Sequence, residues 1–173
     1  MTTSTPSADH PAQPTSSQIS RAVTRRSFCT VATSSGAERP HVAGVLYAAV
    51  DDVLYISTDR RSRKARNIAQ NPQVFVCIPV RRLPLGPPSS VQFCSTAELL
   101  AVDHPDVVRL AAEGRLKSIT GHGELTLDRG CFVRIAAPER YFTYGLGLPL
   151  RKLIRDPLNA AARVDREPRP AST

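Results

Sequence analysis

Between residues 28 and 143 the apolar positions come in short runs bounded by turn residues, not at helical spacing. The runs predict strands at Phe28–Thr33, His41–Val50, Val53–Thr58, Gln73–Val80, Val91–Leu100, Cys131–Ala136 and Arg140–Thr143. Asp51-Asp52 is a two-residue hairpin turn, and Gly36 centres a turn over Ser34–Glu38. Three segments read as helices. Gln18 to Arg26 places Ile19 and Val23 on one face, with Ser17 as its cap. Ser62–Gln70 ends at Asn71-Pro72, because proline disfavours the α region for the residue before it. Asp103–Glu113 starts at Asp103 or His104, with Pro105 in its first turn and Gly114 just beyond. Arg151–Val164 reads as a helix interrupted at Pro157, and residues 165–173 as a frayed end. The Pro-rich stretch Arg81–Ser89 is a loop. Strands at such short spacing indicate a mainly β, antiparallel barrel or sandwich with a few short helices. No internal repeat is present.

Composition changes this picture only at the edges. The 173 residues suffice for one domain with a proper core. Residues 1–17 are rich in Ser, Thr, Pro and Ala and read as a disordered tail; residues 18–150 form the domain and residues 151–173 an extension. The formal charge of +8 and pI near 9.9 suit a nucleic acid, an anionic membrane or a phosphorylated cofactor, or simply a solvated basic surface. No apolar run is long enough to span a bilayer, and the N-terminus lacks an apolar signal core. A soluble cytoplasmic protein is the expectation. Cys29, Cys77, Cys94 and Cys131 each sit in an apolar strand-like run, without a C-x-x-C pair or a nearby histidine. They read as free core thiols of a reducing compartment.

The chemistry concentrates after the second strand of the hairpin. Ser57 and Thr58 close that strand; Asp59 to Asn67 then brings Arg60, Arg61, Ser62, Arg63, Lys64 and Arg66 to a helix start. Ser62 is the cap, and cations in the first turn oppose the helix dipole. A phosphate monoester would offset that opposition through charge-assisted hydrogen bonds. The plain alternative is an exposed basic helix end that binds nothing specific. No Gly-rich phosphate loop or G-x-G-x-x-G occurs, no two histidines have metal-ligand spacing, and no nucleophile elbow is present. His122, between Gly121 and Gly123, is a turn residue or a mobile acid or base.

The order FCTVAT, a glycine turn, RPHV with an apolar strand, a strand ending in Ser57-Thr58, then SRKARNI, NPQV and the later SVQFCSTAELL resembles the flavin-binding split-barrel family. Its best-known member is pyridoxamine 5′-phosphate oxidase. The resemblance covers roughly residues 19–145. It implies a six-stranded antiparallel split β-barrel that forms a homodimer, with FMN at the subunit interface. By the same resemblance Thr58, Ser62, Arg63 and Lys64, with Ser57 beside them, hold the flavin phosphate. His41, Val42, Ala43, Gly44 and Val45, on to Leu46, run along the isoalloxazine. Gln92 reaches the flavin from the partner subunit. The chain departs from the vitamin B6 oxidase itself: it has no tryptophan, whereas that enzyme shapes its substrate pocket with a Trp-containing C-terminal segment. It looks more like the actinobacterial branch of FMN-binding and deazaflavin-dependent reductases, so coenzyme F-420 is the alternative cofactor.

On this reading the flavin carries the redox chemistry, and no catalytic side chain is required. A substrate stacks on the ring in a pocket lined by Tyr47, Phe142 and Tyr144, unless these are ordinary packing residues. The rival is a non-enzymatic module that stores or senses flavin, or binds nucleic acid. No aromatic platform interleaved with Lys and Arg is evident, which counts against single-strand binding.

Overall fold

The computed structural model describes residues 14–80 and 89–167. It is mainly β and antiparallel: β1 (Phe28–Ser34), β2 (Pro40–Leu46), β3 (Ala48–Val50), β4 (Val53–Asp59), β5 (Gln73–Val80), β6 (Ser89–Ala101), β7 (Gly130–Ile135), β8 (Arg140–Tyr144) and β9 (Ala161–Asp165). The helices are α1 (Ser16–Thr24), α2 (Arg63–Gln70), α3 (Pro105–Ala112), α4 (Lys117–Thr120) and α5 (Leu150–Arg155), with short 3-10 turns at Glu124–Thr126 and Pro157–Asn159.

The ladder order β2-β1-β5-β6-β7-β4-β3 curls into a half-barrel. Two interruptions shape it. The expected single strand His41–Val50 breaks at Tyr47, whose N–H donates to the Ser27 carbonyl at 2.7 Å and whose carbonyl accepts from the Ser118 hydroxyl at 3.3 Å. β2 therefore pairs β1 while β3 pairs β4. β7 and β8 follow one edge of β6, parted at Ala136–Glu139, where Pro138 has no N–H to donate. The thirteen-residue β6 crosses both sheets, pairing β5 along its first part and β7 along its last. Among the described residues the strands number nine.

Two corrections concern the ends. The helix expected over Arg151–Val164 stops at Arg155; Asp156, before Pro157, leaves helical geometry at φ −140°. The chain then forms β9, which pairs the full length of β8 from Arg140↔Asp165 to Tyr144↔Ala161. The N-terminal helix is capped by Thr15, not Ser17, in a capping box with Gln18. The tail over residues 1–13, the loop over 81–88 and the end over 168–173 lie outside the described residues.

Elsewhere local chemistry and structure agree. Asp51 and Asp52 both take positive φ, 52° and 66°, as a tight hairpin turn requires. His104 caps α3 and Pro105 opens it. The barrel interior is filled by Ile19 and Val23 of α1 and by alternate residues of the strands, such as Val31, Ile56, Val76, Phe93 and Val133. A second core lies outside the β3–β4–β7 sheet, where Val107, Leu110, Leu116 and Ile119 of α3 and its neighbourhood cover Tyr55, Leu100 and Phe132. No helix among the described residues is long and apolar enough to cross a membrane.

Candidate functional site

The N-terminus of α2 is built as its residues dictate. Ser62 holds φ −61° and ψ 150°, and its Oγ accepts from the Ala65 amide at 3.3 Å. The Thr58 hydroxyl donates to the same Oγ at 3.2 Å. With both contacts accepted, the Ser62 proton remains free to donate outward. Asp59, the acid closest in sequence, is occupied by the Arg61 amide at 2.6 Å and by Arg129 at 3.9 Å. Burial pushes the Lys64 ammonium below the ordinary lysine range, with Cys131 opposing the shift weakly. Lys64 thus lies on the barrel side of α2, toward the Thr58–Cys131 register pair.

Arg63 goes the other way. With Arg66, Asn67 and Gln70 it forms one face of α2, which lines a cleft of about 460 Å³ against Ser35, Ala37, Arg39 and Pro40. Arg39, Arg63 and Arg66 bring three guanidiniums there, and among the described residues none has a carboxylate within ion-pair distance. Asn67 is buried and donates through Nδ2 to Thr33 Oγ1 at 3.0 Å, fixing α2 against β1. The Gln70 Oε1 accepts the Gly36 amide at 3.1 Å and fixes the opposite rim. Arg39, Asn67 and Gln70 were not singled out from the sequence, and Arg66 only as one member of the basic cluster at the helix start. The signal for three of them was the helical spacing from Arg63. Arg39 is brought in by the β1–β2 turn, which spacing alone does not reveal.

Beside this cleft runs β2. Ser35 donates to the Arg39 carbonyl at 3.1 Å and Tyr47 to the Ser27 carbonyl at 2.7 Å, bracketing the β1–β2 ladder. By the alternation of antiparallel pairs, Val45, Ala43 and His41 exchange bonds with Cys29, Val31 and Thr33. The amide groups of Val42, Gly44 and Leu46 consequently point to the opposite edge, and among the described residues no second strand pairs with β2. His41, Ala43 and Val45 turn their side chains toward the barrel; Val42 and Leu46 are exposed. A Cβ on Gly44 would lie 3.0 Å from the Phe28 ring, so glycine here lets Phe28 lie across the strand. The His41 Nδ1 is buried and has no hydrogen-bond partner among the described residues.

The remaining expected residues separate. Ser57 lies on the opposite face of β4 from Thr58, paired with Phe132 of the outer core. Gln92, on β6, is three ladders from β2, about 14 Å at ordinary strand spacing. It is therefore set apart from the β2 edge within one chain. Tyr47 is fully buried, its hydroxyl donating to the Val23 carbonyl at 2.6 Å, so it lines no pocket. Phe142 and Tyr144 do line a cleft, together with Gln92. His122 is exposed on its turn, and its amide donates to Glu124. The thiols also correct the expectation. All four are free, but only Cys29 and Cys131 are buried; Cys77 is half-buried and Cys94 exposed. Among the described residues no three His, Cys, Asp or Glu side chains group to hold a metal.

Residues 15–129 match the sequence model of a family described as pyridoxamine 5′-phosphate oxidase. No curated protein matches the sequence. Among solved structures, the haem storage protein HutZ from Vibrio cholerae superposes with a TM-score of 0.63 at 19% identity, over 76% of this chain and 95% of that one. A haem-binding protein from Mycobacterium smegmatis gives 0.68 at 14% identity, over 90% of this chain and 60% of that one. A pyridoxamine 5′-phosphate oxidase-related, FMN-binding protein from Nostoc punctiforme gives 0.54 at 15% identity, over 88% and 93%. At these identities the likeness concerns the fold.

Proposed function

We propose, because the chain belongs to the pyridoxamine 5′-phosphate oxidase family, that it binds FMN and acts as a flavin-dependent oxidoreductase on a small organic substrate. The observation that carries this reading is the three guanidiniums of Arg39, Arg63 and Arg66, none ion-paired among the described residues, beside the Ser62-capped start of α2 and the edge of β2 that no described strand pairs. The residues fit a phosphorylated planar cofactor. Ser62, Arg63 and Lys64 would take the phosphate, with Thr58 orienting the Ser62 hydroxyl that donates to it, and a phosphate beside the half-buried Lys64 compensates its desolvation. The edge amides along His41–Leu46, among them Val42 and Gly44, supply donors and acceptors for a polar ring margin. Bound flavin supplies hydride transfer; the chain positions it and needs no acid or base of its own.

The reading includes a homodimer of six-stranded split barrels, counting β2 with β3 and β7 with β8 as single strands and setting the terminal β9 apart. In it Gln92 reaches the flavin across the interface. Val42, Leu46, Phe28 and Phe75, exposed on one outer face, give that interface its apolar surface. Four free thiols suit a reducing, cytoplasmic setting. A deazaflavin is the second reading, favoured by the same three guanidiniums, which suit the polyglutamate tail of coenzyme F-420 as well as a phosphate.

The test compares FMN with riboflavin, which lacks the phosphate, by fluorescence titration of the wild type and of Arg63→Ala with Lys64→Ala. Two charge-assisted contacts at about 1.5–3 kcal/mol each predict at least a tenfold loss of FMN affinity, with riboflavin affinity unchanged. Equal FMN affinity in the double variant overturns the phosphate assignment. Visible spectra then separate the classes. Flavin bands bleached by NAD(P)H support the enzyme, a Soret band replaces flavin by haem, and a colourless protein that retards nucleic acid in a salt-dependent way supports the binding module.

A further inference from the structure

The C-terminal extension leaves apolar side chains bare among the described residues. α5 is fastened on one side only. Leu153 packs with Leu148, Ala160 and the half-buried Tyr144 in a small core, framed by Pro149 before the helix and Pro157 after it. The other apolar residues of the segment face outward. Leu150 is 45% exposed, Ile154 64%, and Leu158, in the turn that follows, 93%. Leu158 and Ile154 are the two most exposed large apolar side chains among the described residues. Leu150 and Ile154, four positions apart, stand one above the other on the helix. The small core excludes all three, so the packing of the chain does not need them.

Cations flank this apolar line. Arg151 and Arg155, both exposed, repeat the four-residue spacing about 100° round the helix from Leu150 and Ile154. Lys152, half-buried, adds a third charge. Among the described residues none of the three has a carboxylate within ion-pair distance. The one acid of the segment, Asp156, accepts from Asn159 Nδ2 through both oxygens, at 2.9 and 3.0 Å, and is turned away from the arginines.

The choice of occupant follows from this mixture. A side chain as exposed as Leu158 offers no walls to a small ligand. The six-residue helix and its three-residue turn are far short of the roughly 20–30 residues a side of a stable protein interface. A nucleic acid would use the cations and leave the leucines in water. An anionic lipid surface uses both: apolar side chains enter the boundary between headgroups and acyl chains, and arginines extend their stems to the phosphates.

We propose that α5 and the Pro157–Asn159 turn are a docking site for an anionic membrane surface, with Leu150, Ile154 and Leu158 inserted and Arg151, Lys152 and Arg155 among the headgroups. This goes beyond the flavin reading and does not rest on it.

The experiment floats the full chain on a density gradient with vesicles of phosphatidylcholine, pure or with roughly one lipid in three replaced by phosphatidylglycerol. The wild type should float with the anionic vesicles and stay behind with the neutral ones. Each cation near an anionic surface is worth about fivefold in affinity, so Arg151→Gln with Arg155→Gln should lose about 25-fold. Ile154→Ser with Leu158→Ser should lose about tenfold or more. Arg21→Gln with Arg25→Gln, which removes two exposed charges of α1, should change binding little. The chain has no tryptophan, so Leu158→Trp supplies a lone reporter whose emission should shift to the blue on anionic vesicles. All variants are checked by thermal melt; if the serine variant fails to fold, the Trp shift and the glutamine variant carry the test. No flotation with anionic vesicles overturns the proposal, as does a Trp emission that stays unshifted. Equal losses in the α1 and α5 glutamine variants would mean adsorption of a basic chain and overturn it too. So would serine variants that float like the wild type. An oligomer that dissociates in the serine variant, without vesicle binding, assigns the patch to a protein contact instead.

Discussion

The two sheets of the half-barrel present opposite outer faces. On β3, β4 and β7 the outward residues Tyr55 and Phe132 are sealed beneath α3 and α4. On β1, β2 and β5 the outward residues Phe28, Val42, Leu46 and Phe75 stay exposed, Val42 by 61% and Leu46 by 53%. β6 passes from one regime to the other. Cys94 and Leu100 lie on the same side of that strand, yet Cys94 is exposed and Leu100 is buried against α3. An outward-facing apolar side chain therefore says nothing by itself about whether its own chain covers it. Where the helices cover the sheet the fold seals its own apolar face; where they do not, the apolar surface stays open to solvent or to an outside occupant.

The covered face gives the largest expected effect. Phe132→Ala empties a position with 0% exposure and should lower the unfolding free energy by about 3–5 kcal/mol in a denaturant titration. A loss under about 1 kcal/mol would mean that α3 and α4 do not seal this face. The bare face should respond in association instead. Val42→Asp with Leu46→Asp should convert a dimer to a monomer in light scattering at micromolar concentration, with little change in the stability of the isolated chain, since both side chains are exposed within it. A monomeric wild type would break the comparison on this side.

The thiols give the smallest and finest test. Cys94 should react first with an aromatic disulfide reagent at pH 8, and dimer formation should slow it. Cys29 should stay silent until unfolding, because burial, with Cys77 as a lesser cause, pushes its thiol up to about 12. The unfolded thiol ionises near 9, so the unfolded chain loses this proton before the folded one does. The resulting contribution is fully present below pH 9 and is lost as pH rises from about 9 to about 12. A stability profile that is flat across this window for the wild type, and identical to that of Cys29→Ala, would contradict it.

Much of the fold was legible because local signals agreed with one another. Asp51-Asp52 supplied a hairpin turn, Ser62 and Asn71-Pro72 bracketed α2, and His104-Pro105 opened α3. β9 was not legible. Ala161–Asp165 follows a helix and a proline, and it becomes a strand only because β8 offers a free edge, a long-range fact absent from local propensity. The break at Tyr47 depends likewise on Ser27 and Ser118, each distant from it in sequence. At the candidate site, Ser62, Arg63 and Lys64 could be placed from capping and charge. Their divergence, with Arg63 into the cleft and Lys64 toward the barrel, follows from helical rotation about an axis whose packing only the fold sets. Ser57 and Cys94 were misplaced for one reason. Alternation along a strand assigns two faces, and tertiary packing alone decides which is open.

The unpaired edge of β2 has a bearing on how this protein survives in a crowded solution. A seven-residue strand whose amides at Val42, Gly44 and Leu46 pair with no other strand among the described residues, flanked by exposed apolar side chains, is a template onto which a foreign strand can add. Pro40 at its start blunts only one end. Whatever lies along that edge therefore does a second job as a guard against aggregation, and chains that lack it are the ones exposed to edge-to-edge assembly.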